Sequence, residues 1–157
     1  MEKINIILTN EVQNIILEAC QKSERREIGG MLFAQHSSTN EFKVLEATVA
    51  MEYLGTISRF IRGIVSGLRQ LAKFYKHYNY FYLEYNYLGD WHSHPNFKLY
   101  PSATDDASMF KLLYDAEVGA YFLVLLIVKI KNNQLKVNGW AYFPGNKRVN
   151  CLVKLES

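Results

Sequence analysis

The stretch AYFLVLLIVKI, residues 120–130, is the most apolar run in the sequence. A continuous apolar run that is bounded by turn residues is typical of a strand buried on both faces. The polar segment KNNQ at 131–134 then turns the chain into LKVNGWAYF at 135–143, and this order predicts a hairpin. We therefore expect residues 120–130 to form the central strand of a β-sheet.

Helices and further strands are predicted before this hairpin, and one more strand is predicted after it. ATDDASMFKLLYDA at 103–116 predicts a short helix before it, and RVNCLVKL at 148–155 predicts a closing strand after it. Periodicity and turn residues predict the upstream elements in chain order: a strand at 4–8, a helix capped by Thr9 or Asn10, a hairpin of 29–35 with 42–50, an amphipathic helix from Ser58, and an aromatic-rich strand within 80–95. We predict one α/β domain over residues 1–157, with helices packed on a mixed β-sheet.

Composition narrows the class of protein. With 49% hydrophobic and 21% charged residues, the chain is close to the average soluble globular protein and far from a disordered one. The formal net charge of +3 comes from 18 basic and 15 acidic residues dispersed along the sequence, so we expect no nucleic-acid partner. The sequence has neither a signal-like N-terminus nor an apolar run of the ~18 residues that a membrane span needs. Because Cys20 and Cys151 also form no CxxC pair, we expect a cytoplasmic protein without a membrane partner.

A second stretch, DWHSHPNFKLYPSATD at 90–105, holds several polar side chains at short spacing. On a strand, the period of two points the imidazoles of His92 and His94 to the same side. Ser102 follows a proline and precedes a helix-forming segment, so it can cap that helix, with Asp105 in the first turn on the same face. We expect these four side chains to form one site.

Three of these side chains are a suitable ligand set for zinc. Zn²⁺ at a catalytic site takes three protein ligands from His, Asp, Glu or Cys and leaves the fourth position to water. His92, His94 and Asp105 form such a set. Hydrolysis also requires a base, which spacing alone does not select. The candidates are glutamates, among them Glu2, Glu11, Glu18, Glu24 and Glu27.

The joint pattern resembles the JAMM motif of the MPN-domain metalloproteases, also called the JAB-domain family. HSHP at 92–95 and PSATD at 101–105 match the family's His-Ser/Thr-His-Pro and Ser-x-x-Asp elements at the family's spacing. Upstream, EIGGML at 27–32 resembles the segment that carries the family's glutamate. The likeness extends to the order of elements across most of the chain, and it implies an α/β sandwich similar to that of the deaminases.

The resemblance also implies a role for each motif residue. His92, His94 and Asp105 would bind zinc, Glu27 would activate the water, and Ser102 would help to stabilise the oxyanion of the tetrahedral intermediate. The implied enzyme is a zinc metallopeptidase, an isopeptidase that hydrolyses an amide bond after the C-terminus of a ubiquitin-like modifier. A ubiquitin-like protein or its conjugate is then the expected substrate.

The compact DWHSHP form is most similar to stand-alone prokaryotic members, including those that accompany ubiquitin-activating-like and conjugating-like enzymes in antiphage defence. Such enzymes are further expected partners. A catalytically silent MPN scaffold in a larger assembly is the main alternative, although silent members usually lack the ligands that this sequence has. A zinc deaminase would carry H-x-E followed by P-C-x-x-C, and the sequence has neither.

Overall fold

The structure is a computed structural model that describes the backbone of residues 3–50 and 57–157 and the side chains of residues 3–50 and 65–157. Helices and strands alternate along it, as the sequence predicts for a mixed α/β fold. The elements in chain order are β1 (Asn5–Leu8), α1 (Asn10–Ser23), β2 (Gly29–Ser38), β3 (Glu41–Ala47), α2 (Ile57–His77), β4 (Tyr85–Ser93), α3 (Ala103–Leu113), β5 (Leu123–Lys131), β6 (Gln134–Phe143) and β7 (Lys147–Leu155). The predicted start of α2 at Ser58 differs by one residue, but the side chains of its first two turns lie outside the described residues.

The strands form one sheet in the order β1-β3-β2-β4-β5-β6-β7, and the sheet closes into a barrel because β1 also pairs with β7. Three of the strand pairs are parallel, β1 with β3, β1 with β7 and β4 with β5, so the prediction of a mixed sheet is confirmed. The predicted deaminase-like sandwich is wrong, because the sheet closes into a barrel. The twist of the sheet brings its two outer strands together, and the short β1 bridges them.

β5 is the most deeply buried strand, which confirms the prediction made from its apolar run. Six consecutive residues from Leu123 to Val128 are at most 1% exposed. Val124 and Leu126 pack in the core that α1 covers, whereas Leu125 packs with Met109 of α3 on the other side. A strand with helices on both faces has no solvent-facing side, so its sequence is apolar throughout.

The turn between β5 and β6 is a two-residue hairpin loop. Lys131 pairs with Gln134, and between them Asn132 and Asn133 have φ angles of 53° and 60°. Asparagine tolerates this left-handed region better than most residues, and two such residues in succession suit the twist of a hairpin. The polar segment that predicted the turn is therefore also what allows it.

Strands β2 and β4 approach each other closely where the polar residues lie. Gly29 of β2 is paired with His92 of β4. A Cβ atom on Gly29 would lie 2.5 Å from the Trp91 carbonyl oxygen and 3.0 Å from the His92 Cβ atom. Only glycine fits at such a distance between strands. The fully buried Trp91 fixes β4 further, because its Nε1 donates a hydrogen bond to the carbonyl of Thr48 at 2.8 Å.

Within the described residues, no helix combines the length and the apolar character that crossing a membrane would require.

Candidate metal centre

His92 and His94 lie at the carboxyl end of β4 and are both buried. Their rings are on the same side of the strand, with centroids 4.9 Å apart and planes at 29°. Backbone hydrogen bonds to the segments on either side hold this end of β4 in place. Ser93 N donates to the Ile28 carbonyl at 2.8 Å, and His94 N donates to the Val128 carbonyl at 2.9 Å. The predicted same-side arrangement of the two imidazoles is confirmed.

Asp105 is presented by the first turn of α3. Ser102 is the N-cap of this helix, as predicted, and its Oγ accepts a hydrogen bond from Asp105 N at 3.1 Å. In return, Asp105 Oδ2 accepts from Ser102 N at 2.8 Å, which completes a capping box. The carboxylate of Asp105 is thereby fixed on the side of the helix that faces the histidines.

The three side chains bring their ligand atoms together. The Nε2 atoms of His92 and His94 are 3.1 Å apart, His92 Nε2 is 3.2 Å from Asp105 Oδ1, and His94 Nε2 is 3.3 Å from Asp105 Oδ2. In a tetrahedral zinc site with bonds of about 2.0–2.1 Å, neighbouring ligand atoms lie roughly 3.3–3.4 Å apart. The three separations are within a few tenths of an ångström of that spacing, so this group could hold a metal ion and fits zinc.

The hydrogen bond on the far side of His94 sets its tautomer. His94 Nδ1 lies 3.0 Å from the carbonyl oxygen of Lys98. A carbonyl oxygen can only accept, so Nδ1 carries a proton, and in the neutral ring Nε2 then has the lone pair that a metal ligand needs. Histidine ligands of metals are commonly held in this way by a second partner.

The electrostatics favour an ionised carboxylate at the site. Burial raises the pKa of Asp105, but the hydrogen bond and charge of His92, together with hydrogen bonds from Ser102, hold it well below its usual range. Nearby on β4, burial raises the pKa of Asp90 to about 6 against the opposing effects of a hydrogen bond from Tyr87 and of the charge on His92. Asp105 thus offers an ionised carboxylate to the group that could hold a metal ion.

Glu27 is not one of the three residues of this ligand group. It is half-buried and precedes β2 by two residues. The pairing of Gly29 with His92 continues through Ile28, whose N donates to Ser93 Oγ at 3.0 Å and whose carbonyl accepts from Ser93 N. Glu27 directly precedes Ile28 in the chain, so it leads into the strand that pairs with His92.

Sequence reasoning missed the residues that surround the centre. Asp106, next to Asp105, accepts hydrogen bonds from Tyr142 on β6 and Arg148 on β7. The only signal in the sequence is the doubled aspartate at 105–106. Its partners are 36 and 42 residues away, where spacing along the chain carries no information.

Comparison with known proteins concerns the family and the fold of the chain. Residues 9–141 match the family described as prokaryotic homologs of the JAB domain. The fold is similar to the solution structure of a protein from Desulfitobacterium hafniense, with a TM-score of 0.62 and 17% sequence identity over 97% of this chain and 93% of that one. At that identity the likeness concerns the fold alone. Among curated proteins, none matches the sequence.

Proposed function

The chain belongs to the family of prokaryotic homologs of the JAB domain, and we propose that it is a zinc-dependent isopeptidase or peptidase acting after the C-terminus of a ubiquitin-like modifier. The observation that carries this proposal is the group of ligand atoms from His92, His94 and Asp105, whose closest separations are 3.1–3.3 Å. Two buried imidazoles and an ionised carboxylate at this spacing are the donor set of a catalytic zinc site.

In this proposal His92, His94 and Asp105 hold the ion. Bound Zn²⁺ would supply Lewis acidity, which polarises an amide carbonyl and lowers the pKa of water to about 7. The protonated Nδ1 of His94 keeps its Nε2 directed to the centre, and the capping box keeps Asp105 in its orientation. The ligands are thus organised before an ion binds.

The protein's own groups then carry the protons. The carboxylate of Glu27 takes the proton of the attacking water while the oxygen forms a bond to the amide carbon. When the C–N bond breaks, Glu27 passes that proton to the leaving amine. The pairing of Gly29 with His92 supports this role, because Glu27 lies only two residues before Gly29 in the chain.

Ser102 is proposed to assist at the carbonyl oxygen. Its Oγ accepts the hydrogen bond of Asp105 N, so the proton of its hydroxyl group remains available for donation. The side chain is exposed, and a substrate carbonyl can therefore approach it. A hydrogen bond of this kind stabilises negative charge as it develops on the oxygen.

The test separates metal binding from proton transfer. We expect Glu27→Ala to retain zinc, because Glu27 is not a ligand, and to lose cleavage by about 10²- to 10⁴-fold, because the base is removed. The measurements are zinc per chain by elemental analysis and cleavage of a panel of ubiquitin-like proteins fused to a reporter. Glu117→Ala, which removes an exposed glutamate from the loop after α3, is the control and should behave as wild type. Undiminished cleavage by Glu27→Ala would refute the assignment.

The proposal extends to the setting of the enzyme. We propose a cytoplasmic protein that works with ubiquitin-activating-like and conjugating-like enzymes, in a pathway such as antiphage defence. The cysteines support the proposed cytoplasmic location, because Cys20 and Cys151 are both free and buried, as is usual in a reducing compartment.

One observation favours a scaffold as the second candidate function. The loop after α2 exposes four consecutive large apolar side chains, Tyr80 to Leu83, each more than half exposed. A contiguous apolar surface of this kind is typical of a protein–protein contact. A wild-type protein that binds zinc fully and yet cleaves none of the fusions, while it copurifies with a stable partner through this loop, would favour the scaffold.

A further inference from the structure

The first turn of α3 carries two adjacent carboxylates that face different partners. Asp105 faces the two histidines, whereas Asp106 faces strands β6 and β7. Arg148 of β7 donates from one guanidinium nitrogen to both oxygens of Asp106, at 2.8 and 2.7 Å. The hydroxyl group of Tyr142 on β6 donates to the same carboxylate at 2.7 Å.

The guanidinium group of Arg148 is itself held on both sides. Its central carbon lies 4.7 Å from the ring centroid of Tyr100 and 4.9 Å from that of Trp140, which are cation–π distances. A second nitrogen of the guanidinium group donates to the Tyr100 hydroxyl group. A planar cation in contact with two rings and hydrogen-bonded to a carboxylate has little rotational freedom.

The segment between His94 and α3 is tied down at three successive residues. The carbonyl of Lys98 contacts His94 Nδ1, the carbonyl of Leu99 accepts a hydrogen bond from Asn138 at 3.1 Å, and Tyr100 contacts Arg148. The first contact holds the segment to His94, directly after β4, and the other two link it to β6 and β7. Together with the Asp106 contacts, they determine where the first turn of α3 lies relative to β4.

From this arrangement we infer that Arg148 and Tyr142 are positioning residues, which hold Asp106 so that the neighbouring Asp105 meets the histidines at ligand distance. The inference rests on the proposed metal site and adds to it two residues outside the motif. Tyr142 is fully buried, and the side chains of Arg148 and Asp106 are 20% and 32% exposed, so these contacts are partly shielded from water. A carboxylate with several hydrogen bonds in such a place is held more firmly than one in a surface ion pair.

A positioning role and a purely electrostatic role of Arg148 predict opposite changes in the affinity for a divalent cation when this side chain is removed. Without its cation, Asp106 adds an uncompensated negative charge beside the centre, and by electrostatics alone a divalent cation would bind more tightly. If Arg148 positions the helix turn, its loss lets Asp105 move away and the cation binds more weakly. The direction of the change in affinity therefore discriminates between the two.

The experiment titrates the intact protein with Zn²⁺ in competition with a chelator, and with Co²⁺ while recording its visible absorption spectrum. We expect Arg148→Met to weaken zinc binding about 10- to 100-fold, as losses around metal ligands usually do, and to change the Co²⁺ spectrum. Arg148→Lys keeps the charge and should recover part of the affinity. Lys147→Met removes an exposed cation one residue earlier on β7 and should bind both ions as wild type does.

If Arg148→Met does not fold, Tyr142→Phe tests the same inference, because it removes one hydrogen bond to Asp106 without changing charge or shape. We expect this variant to weaken zinc binding several-fold and to shift the Co²⁺ spectrum. Wild-type affinity and spectrum in the folded variants would overturn the positioning role but leave the metal site standing. A wild-type protein that binds neither ion would overturn the inference together with the proposed function.

Discussion

His94 uses its two ring nitrogens for different purposes. Nδ1 is hydrogen-bonded to the Lys98 carbonyl, and Nε2 lies 3.1 Å from Nε2 of His92 and 3.3 Å from Asp105 Oδ2. One ring thus joins the segment that leads to α3 with the ligand group. Removing it eliminates a ligand and loosens the connection to the third one.

We expect His94→Ala to lose its metal. Wild-type protein should contain about one zinc per chain after reconstitution, and His94→Ala should contain little, as measured by elemental analysis after exhaustive dialysis. His36→Ala is the matched control, since His36 is an exposed histidine that stacks on Phe42, with ring centroids 4.6 Å apart, and belongs to another part of the barrel. Zinc retained by His94→Ala at the wild-type level would contradict the ligand assignment.

At the residue scale, the sequence identifies the ligand group because its chemistry is local. His92, His94 and Asp105 lie within fourteen residues of one another, and strand and helix periods give their orientations. Arg148 and Tyr142 could not be found in this way. Their link to Asp106 exists only because the hairpin of β6 and β7 folds back over α3, which no spacing encodes.

Among the described residues, the helices α1 and α3 begin with a side-chain cap, and of these two only α3 is at the site. Thr9 caps α1 by accepting from Val12 N at 3.2 Å, and Ser102 caps α3 through its capping box with Asp105. The two caps make the same kind of contact to the backbone. Substitutions of Thr9 and Ser102 can therefore be compared to separate the contribution of a cap to stability from a role at the metal centre.

We expect Ser102→Ala and Thr9→Ala to lower the free energy of unfolding by similar amounts, about 1 kcal/mol each, because each removes an N-cap hydrogen bond. Only Ser102→Ala should impair cleavage, by about 10²- to 10³-fold, as the loss of one oxyanion donor typically does. Denaturant titration and cleavage at saturating zinc measure the two effects. Equal loss of activity in both variants would mean that Ser102 acts only as a helix cap.

At the element scale, prediction succeeds where a signal is contained within the element. The apolar run of β5 and the asparagine turn after it correspond to the buried strand and its hairpin. The sequence predicts a closing strand at 148–155 but not its pairing with β1, because β1 is only four residues long and its partners β3 and β7 are distant in sequence. Such pairing depends on twist and tertiary packing and not on local propensity.

The whole barrel shields both thiols of the chain. Burial raises the pKa of Cys20 to about 11 and that of Cys151 to about 12, and neither forms a disulfide. We expect both to be unreactive towards a thiol-specific chromogenic reagent in the native protein at pH 8, and to react stoichiometrically after denaturation. Rapid native labelling of either thiol would contradict their burial.

The same shielding gives stability a pH dependence at the alkaline side. In the unfolded chain the thiols ionise above about pH 9, while in the folded protein they stay protonated until about pH 11 to 12. The folded state then binds more protons, so the free energy of unfolding falls as pH rises through this window. In the double variant Cys20→Ala/Cys151→Ala, denaturant titrations between pH 8 and 11 should show a shallower decline than in wild type.

The pairing of β1 with β7 also has a consequence for biosynthesis. Asn5 pairs with Leu152, so the contact that closes the barrel joins segments 147 residues apart. A chain that emerges from the ribosome with β1 first cannot complete the ring until β7 has left the exit tunnel. Until then the sheet is open and has two unpaired edges, at β1 and at β6, the state in which a chaperone would bind it.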